Sequence, residues 1–485
     1  MTAAPDPFFA LGLSLPAPGA RQRRKALHGQ IKAAILDRRL APGLQLPASR
    51  ALARRLGLSR NSVLAVYDLL LGEGYIVSRQ GAGCFVAEAP RRSIPAAEPE
   101  QAQAAPRLRP AWRGQAPVPR GPPPLPLTLR LGLPDLSLFP HDDWRRLAGR
   151  ARRRAALAPG GYEDPYGAPA LREAVASHVS VTRAVACVPE DILITHGAQQ
   201  AFDLLAKVLV EPGRTVVAVE EPGYPPMRSA FVAAGAVVRP TPVDEEGLIV
   251  EALPKDTAVI CVTPSHQFPL GVTMSPARRA ALLAFAEARD AVIVEDDYDG
   301  EFRFEARPLD ALQTLDRSGR VVYVGTFSKC LSPDLRLGFA VCPAWALGAL
   351  ARAKQLSDWN CPIVGQETLA AFIAEGRLAR HVRRTRGIYA ERRRTLLQAL
   401  DARCGSRLTP FPAVAGLHIA ARLAPGLDEN EVAALAAREG VGLRTIGGFA
   451  AGQGTPQGFA LAYGAESRET IVAVVERLGA ILARL

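Results

Sequence analysis

Residues Val321–Gly338 read VVYVGTFSKCLSPDLRLG. Four apolar residues predict a buried strand, a glycine turns the chain out, and Lys329 stands where the strand ends. A lysine at the mouth of a parallel sheet is costly to desolvate unless its amine is put to use. Forming an imine with an aldehyde cofactor is the use that fits its neighbours. Thr326 and Ser328 supply hydroxyls, and Arg336 supplies a planar charged fork; together these groups suit a phosphate.

Working outward, VVAVE (216–220), AVICV (258–262) and AVIVE (291–295) are further β-branched runs bounded by turn signals. Helical stretches such as Ala277–Ala288 separate them. That alternation predicts a mostly parallel sheet covered on both faces, with ligands beyond the carboxyl ends of its strands. The residues at those ends are informative. After AVIVE come Asp296, Asp297, Tyr298 and Asp299. No histidine or further acid is spaced to complete a metal site with them, so no metal is expected. A carboxylate facing a pyridine nitrogen keeps that ring protonated and electron-withdrawing, and a tyrosine hydroxyl can hydrogen-bond a phenolic oxygen. Tyr224, in EPGY, is placed to stack on a ring face. In ITHGAQQAFDLL, a strand ending at Thr195 leads into a helix near Ala198, so Ala198 and Gln199 would offer backbone N–H groups to a phosphate.

The first quarter of the chain reads differently. Residues 21–38 carry apolar residues at 27, 31, 35 and 36, a helical spacing with a basic outer face. In LPASRALARRLGLSRNSVLAVYDLLLGEGY, Ser49 is a candidate N-cap for a short helix through Leu56 and Gly57 a stop. Ser59 caps a second helix with Val63, Val66 or Tyr67, and Leu70 inward. Two short capped helices joined through a glycine predict a helix-turn-helix, and YIVSRQGAGCFVAE adds a hairpin wing around Gly81 and Gly83. Arg60, Asn61 and Ser62 open the second helix, where such a motif reaches base edges. Residues 1–88 hold 12 lysines and arginines against 5 acids, while residues 127–485 hold 41 against 40. The basic excess therefore sits where a polyanion would bind.

Between the two parts, residues 89–126 are rich in proline and alanine, with 6 arginines against 2 acids, and predict an extended linker. No apolar run is long enough to span a bilayer, and the N-terminus lacks a basic leader, which predicts a cytoplasmic protein without membrane contact. The 7 cysteines are scattered without metal spacing and read as reduced thiols. Cys330 beside Lys329 reads as a bystander rather than a redox switch.

Leu27–Val86 resembles the GntR-type winged helix, with Cys84 where that family usually has threonine. The resemblance makes Ser49, Arg50, Arg60, Asn61, Ser62 and Gly81 the expected contacts to double-stranded DNA. GTFSK…LRLG resembles the pyridoxal-phosphate lysine motif of fold-type I aminotransferases. With YEDPYG, EEPGY, TPSHQFPLG and EDDYDGEF, the whole chain resembles the MocR-type transcriptional regulators. That resemblance implies a winged helix-turn-helix (residues 1–88), the linker (89–126) and an α/β domain of the fold-type I pyridoxal-phosphate transferases (127–485). It implies pyridoxal 5'-phosphate on Lys329, held by Ala198, Gln199, Tyr224, Asp296, Tyr298, Thr326, Ser328 and Arg336, with Asp297 the alternative to Asp296. It also implies a domain-swapped, head-to-tail homodimer in which Tyr162 reaches the partner subunit's phosphate. The expected signal is an amine or amino-acid effector, or pyridoxal phosphate itself. Two departures bear on catalysis: Phe268 stands where aminotransferases usually have asparagine, and Ala460 where they have the arginine that clamps a substrate carboxylate. Arg444 is a candidate substitute. An aminotransferase with an appended DNA-binding domain is the alternative reading.

Overall fold

The computed structural model describes residues 8, 11–16, 22–87, 112, 125–158, 160–304, 310–452 and 454–485. It forms two units, Met1–Ala104 and Ala105–Leu485. Apart from residues 112, 125 and 126, the expected linker lies outside the described residues.

In the first unit, helix α1 (Arg23–Leu36) buries Leu27, Ile31 and Ala34. Leu36, expected on this face, is 61 % exposed. Nine residues at about 100° each place it about 180° from Leu27, so Ala34 completes the stripe instead. Helix α2 (Ser49–Leu56) ends at Gly57 in the left-handed region. Its N-cap is Ala48, not Ser49 as the sequence suggested. The Tyr67 hydroxyl donates to the Pro47 carbonyl (2.8 Å), fixing an extended Ala48 so that Ser49 is already helical. Helix α3 (Arg60–Gly72) is capped as expected: the Ser59 side chain accepts from the Ser62 amide, and Val63, Val66, Tyr67 and Leu70 are buried. Strands β1 (Ile76–Arg79) and β2 (Gly83–Val86) pair antiparallel, Ile76 opposite Val86, and make the wing.

The second unit starts with β3 (Leu127–Thr128) and is built on an eight-stranded sheet. Its strands are β4 (Ile192–Thr195), β5 (Val216–Glu221), β6 (Val237–Asp244), β7 (Gly247–Leu248), β8 (Thr257–Val262), β9 (Val292–Asp297), β10 (Val321–Thr326) and β11 (Gly338–Val341). The order is β4-β11-β10-β9-β8-β5-β6-β7. The central run from β10 to β6 is parallel, with Val321 opposite Ile293 and Gly325 opposite Asp297. β11 runs antiparallel between β10 and β4. Strands β5, β9 and β10 are buried along almost their whole length, as expected of a sheet covered on both faces. A smaller antiparallel sheet follows, in which β12 (Leu408–Pro410), β13 (His418–Leu423), β16 (Gly458–Ala462) and β15 (Arg444–Thr445) lie in that order. A short strand β14 (Val441–Gly442) pairs with β3. Among the described residues no helix is long and apolar enough to cross a membrane.

Candidate functional site

The carboxyl ends of β5, β9 and β10 open on one cavity of about 250 Å³. Its lining includes Ala198, Gln199, Tyr224, Asp296, Tyr298, Thr326, Ser328, Lys329 and Arg336, nine of the ten residues expected to hold the cofactor. Tyr162 is not among them: it is 79 % exposed and packs on the Trp359 ring, centroids 4.4 Å apart.

Lys329 follows directly from the end of β10, and its Nζ donates to the Gly132 carbonyl (2.7 Å), a partner 197 residues away. Burial lowers its pKa, with the charges of Asp299 and then Asp296 opposing. An amine held this way is more readily neutral, and therefore nucleophilic, than a surface lysine.

At one end of the cavity the groups suit a phosphate. The Thr326 hydroxyl donates to Ser328 Oγ (3.0 Å), and the Ser328 amide donates to Thr326 Oγ1 (3.2 Å). Arg336 donates to the His196 carbonyl (2.9 Å), which sets its guanidinium beside the N-terminus of the helix Gly197–Leu209. Gly197 has φ +70°, and a Cβ there would come within 3.3 Å of the Arg336 nitrogens. Glycine at this position keeps the anion cradle open.

Asp296 and Asp297 are adjacent on β9 and so point to opposite faces of the sheet. Asp297 accepts from Arg183 Nε (2.6 Å) and from the Tyr323 hydroxyl (2.7 Å) on the face away from the cavity. Asp296 lines the cavity, and its buried Oδ1 has no hydrogen-bond partner. Burial, then the charge of Asp297, pushes the Asp296 carboxyl well above the usual range. A buried acceptor left open in this way matches a protonated ring nitrogen, whose charge would restore the carboxylate. The alternation therefore separates the two acids: Asp296 suits the pyridine, and Asp297 holds the frame.

Sequence spacing gave no hint of a second cluster. His266, Asp299 and His418 each bring one ligating atom to within 4.8 Å of the others, all three residues buried. These are residue types that bind metals, and the expectation that no histidine joins the acids of 296–299 is corrected here. His266 Nδ1 lies 3.0 Å from Asp299 Oδ2 and 2.9 Å from the Tyr298 hydroxyl, which itself donates to the His266 carbonyl (3.0 Å). His418 Nε2 lies 2.9 Å from the Pro269 carbonyl, and only a donor fits there. His266 Nδ1 and His418 Nε2 are thus engaged in positioning Tyr298 and the Phe268–Pro269 turn, while His266 Nε2 is buried without a hydrogen-bond partner. Phe268 presents its edge to Tyr224 and to Phe449, with centroids 5.3 and 5.1 Å apart. Ala460 lies in the core opposite Ala420 and Arg444, but Arg444 is exposed and does not line the cavity. The suggested substitute clamp is therefore not formed within this chain. Cys330 is 2 % exposed, with its thiol pushed well up by burial, an environment that makes a thiol inert.

On the winged helix, Arg50, Arg60, Asn61 and Gly81 are exposed, and Ser49 and Ser62 are half-buried. Ser49 Oγ accepts from Arg60 Nε (3.5 Å), which brings α2 and the start of α3 together. Ser62 Oγ lies 2.8 Å from Ser59 Oγ, so this hydroxyl is shared with the cap.

Residues 23–86 match the family described as bacterial regulatory proteins, gntR family. Residues 137–478 match aminotransferase class I and II. The probable rhizopine catabolism regulatory protein MocR of Rhizobium meliloti is 36 % identical over 419 residues, 86 % of this chain and 85 % of that protein. The chain belongs to the MocR-type transcriptional regulators. A second regulator of the MocR type, the pyridoxine biosynthesis transcriptional regulator PdxR of Corynebacterium glutamicum, is 32 % identical over 85 % of each chain. The second unit also resembles LysN, the α-aminoadipate aminotransferase of Thermus thermophilus, solved with N-(5'-phosphopyridoxyl)-L-leucine. The TM-score is 0.68 at 32 % identity, over 74 % of this chain and 92 % of that one. As a MocR-type regulator, the chain joins a DNA-binding winged helix to a transferase fold of type I.

Proposed function

We propose that this regulator binds operator DNA through its winged helix and that a small amine or amino acid entering the cavity changes that binding. One observation carries the reading: a half-buried amine, Lys329, and a buried carboxyl with an unpartnered oxygen, Asp296, converge on one cavity in a chain that also bears a GntR winged helix. Pyridoxal phosphate is the cofactor. When bound, it supplies an aldehyde that condenses with amines and a ring that withdraws electrons. Lys329 is its attachment point, and Asp296 holds the proton on the ring nitrogen. Tyr224 and Tyr298 orient the ring, while Thr326, Ser328, Arg336 and the amides of Ala198 and Gln199 bind the phosphate. Ser49, Arg50, Arg60, Asn61, Ser62 and Gly81 are the DNA contacts. The units are divided as 1–88, 89–126 and 127–485, in a domain-swapped, head-to-tail homodimer in the cytoplasm. The exposed Tyr162 serves the partner subunit's phosphate, and two wings per dimer require paired half-sites.

An effector acts only through unequal affinity for two arrangements of the dimer. The test is to load the protein with pyridoxal phosphate, follow its visible absorption band, and measure operator affinity by fluorescence anisotropy with and without amines. A band absent from Lys329→Ala, shifted by an amine that also changes DNA affinity, is the expected result. A band that no amine shifts would leave pyridoxal phosphate itself as the signal; no band at all would overturn cofactor-based sensing. A second reading, transamination, is favoured by the intact Lys329–Asp296–Arg336 set. Phe268 and the missing arginine at 460 count against it, and steady keto-acid release would establish it.

A further inference from the structure

The effector's chemistry can be read from the part of the cavity that the cofactor contacts leave over. The lining contains the cations Lys329 and Arg336, one the attachment point and the other the phosphate anchor. What remains is apolar (Leu131, Leu133, Phe268, Leu417) except for Asp299 and His418. Both of these are acceptors. The carboxylate of Asp299, a residue 2 % exposed, receives hydrogen bonds from His266 alone among the described residues, at 3.0 and 3.2 Å, whereas a carboxylate has about four acceptor positions. His418 is neutral, since burial pushes its pKa down to about 3. With Nε2 donating to the Pro269 carbonyl, its Nδ1 carries a lone pair. Among the described residues no other arginine lines the cavity: Arg228 is turned to the carbonyls of Phe449 and Ala450, and Arg393 to that of Ala413.

Resting on the proposed sensing function, we propose that the effector is a compact primary amine without a carboxylate, bearing a hydroxyl or second ammonium group that Asp299 and His418 accept. A carboxylate at this end would face Asp299 with no compensating cation among the described residues of this chain's lining, a like-charge contact in a desolvated space. A hydroxyl or ammonium group finds two acceptors there, and charge-assisted hydrogen bonds are the strong ones. Asp299 also lies close enough to Lys329 for its charge to act on that amine, so an amine arriving at the attachment point is received by the same carboxylate.

A four-carbon series tests this on the full-length protein loaded with pyridoxal phosphate: butylamine, aminobutanol, putrescine and γ-aminobutyrate, each titrated against the visible band at one pH. Aminobutanol or putrescine should reach its midpoint at a concentration at least roughly tenfold below γ-aminobutyrate and below butylamine, as one charge-assisted contact provides. The order of those two distinguishes hydroxyl from ammonium. In Asp299→Asn the preference should shrink to about threefold or less, while the wild-type series decides the matter by itself if that variant does not fold. A lower midpoint for γ-aminobutyrate, or midpoints within about threefold for all four, would overturn this effector class and leave amine sensing intact. A band that none of the four shifts would overturn it as well; sensing itself falls only if no other amine, carboxylated ones included, shifts the band or alters DNA affinity.

Discussion

The two ends of the cavity are made of opposite materials. Arg336, two hydroxyls and a helix N-terminus stand at one end, while Asp299, His418 and apolar side chains stand at the other. The first end is fully supplied with donors and the second only with acceptors. Lys329 follows Ser328 of the first end in the chain and feels the charge of Asp299 from the second. The difference teaches that one cavity can require an anion at one side and refuse it at the other, so that cofactor and effector cannot exchange places.

The largest test removes the junction. Lys329→Ala should abolish the visible band of the cofactor-loaded protein completely, as absorption spectra will show, with the winged helix still binding DNA in anisotropy measurements. Next, Arg183→Ala attacks the frame beneath both ends. It strands the buried Asp297 carboxylate and should cost about 3–5 kcal/mol in urea unfolding. Glu220, at the end of β5, accepts from the Thr263 hydroxyl (2.5 Å), and burial pushes its carboxyl up to about 7. The folded chain then keeps a proton that the unfolded chain loses near 4.5, so stability falls as pH rises from about 4.5 to about 7. The loss from this group is at most about 3 kcal/mol, and Glu220→Gln should flatten that part of a stability-versus-pH curve. At the donor end alone, Arg336→Ala should weaken pyridoxal-phosphate binding by about 1.5–3 kcal/mol, measured by equilibrium titration. Smallest, Ser59→Ala should cost about 1 kcal/mol of winged-helix stability and leave cofactor affinity unchanged; a loss of cofactor affinity would mean that the two units are not energetically separate.

The donor end was legible in the sequence because its groups follow strand ends in short motifs: TFSK and the arginine of LRLG lie within eleven residues. The long-range contacts around the cavity, those of the acceptor end included, were not. Lys329 and Gly132, Arg183 and Asp297, and His266 and Asp299 meet only through the fold, across 197, 114 and 33 residues respectively. Charge and hydropathy patterns carry no information about such pairs. Strand alternation did contain the distinction between Asp296 and Asp297, but only the partners of Asp297 show which face is structural. In the winged helix, periodicity predicted the buried side of α3 correctly. It misplaced Leu36 because a residue nine positions on from Leu27 falls on the opposite side of the helix. Ser49 failed as a cap because the conformation of Ala48 is set by a contact from Tyr67, 20 residues from the Pro47 carbonyl it bonds.

The hydrogen bond from Lys329 to Gly132 joins chemistry to backbone. Gly132 lies six residues beyond the end of the expected linker, in a segment whose neighbours Leu131 and Leu133 wall the cavity. Its φ of +75° suits glycine, and a Cβ there would stand 3.0 Å from the lysine nitrogen. The amine proposed to take up the ligand therefore also holds the stretch that follows β3 against the cavity. A change at that nitrogen is thereby felt in the backbone that leads back to β3 and its pairing with β14.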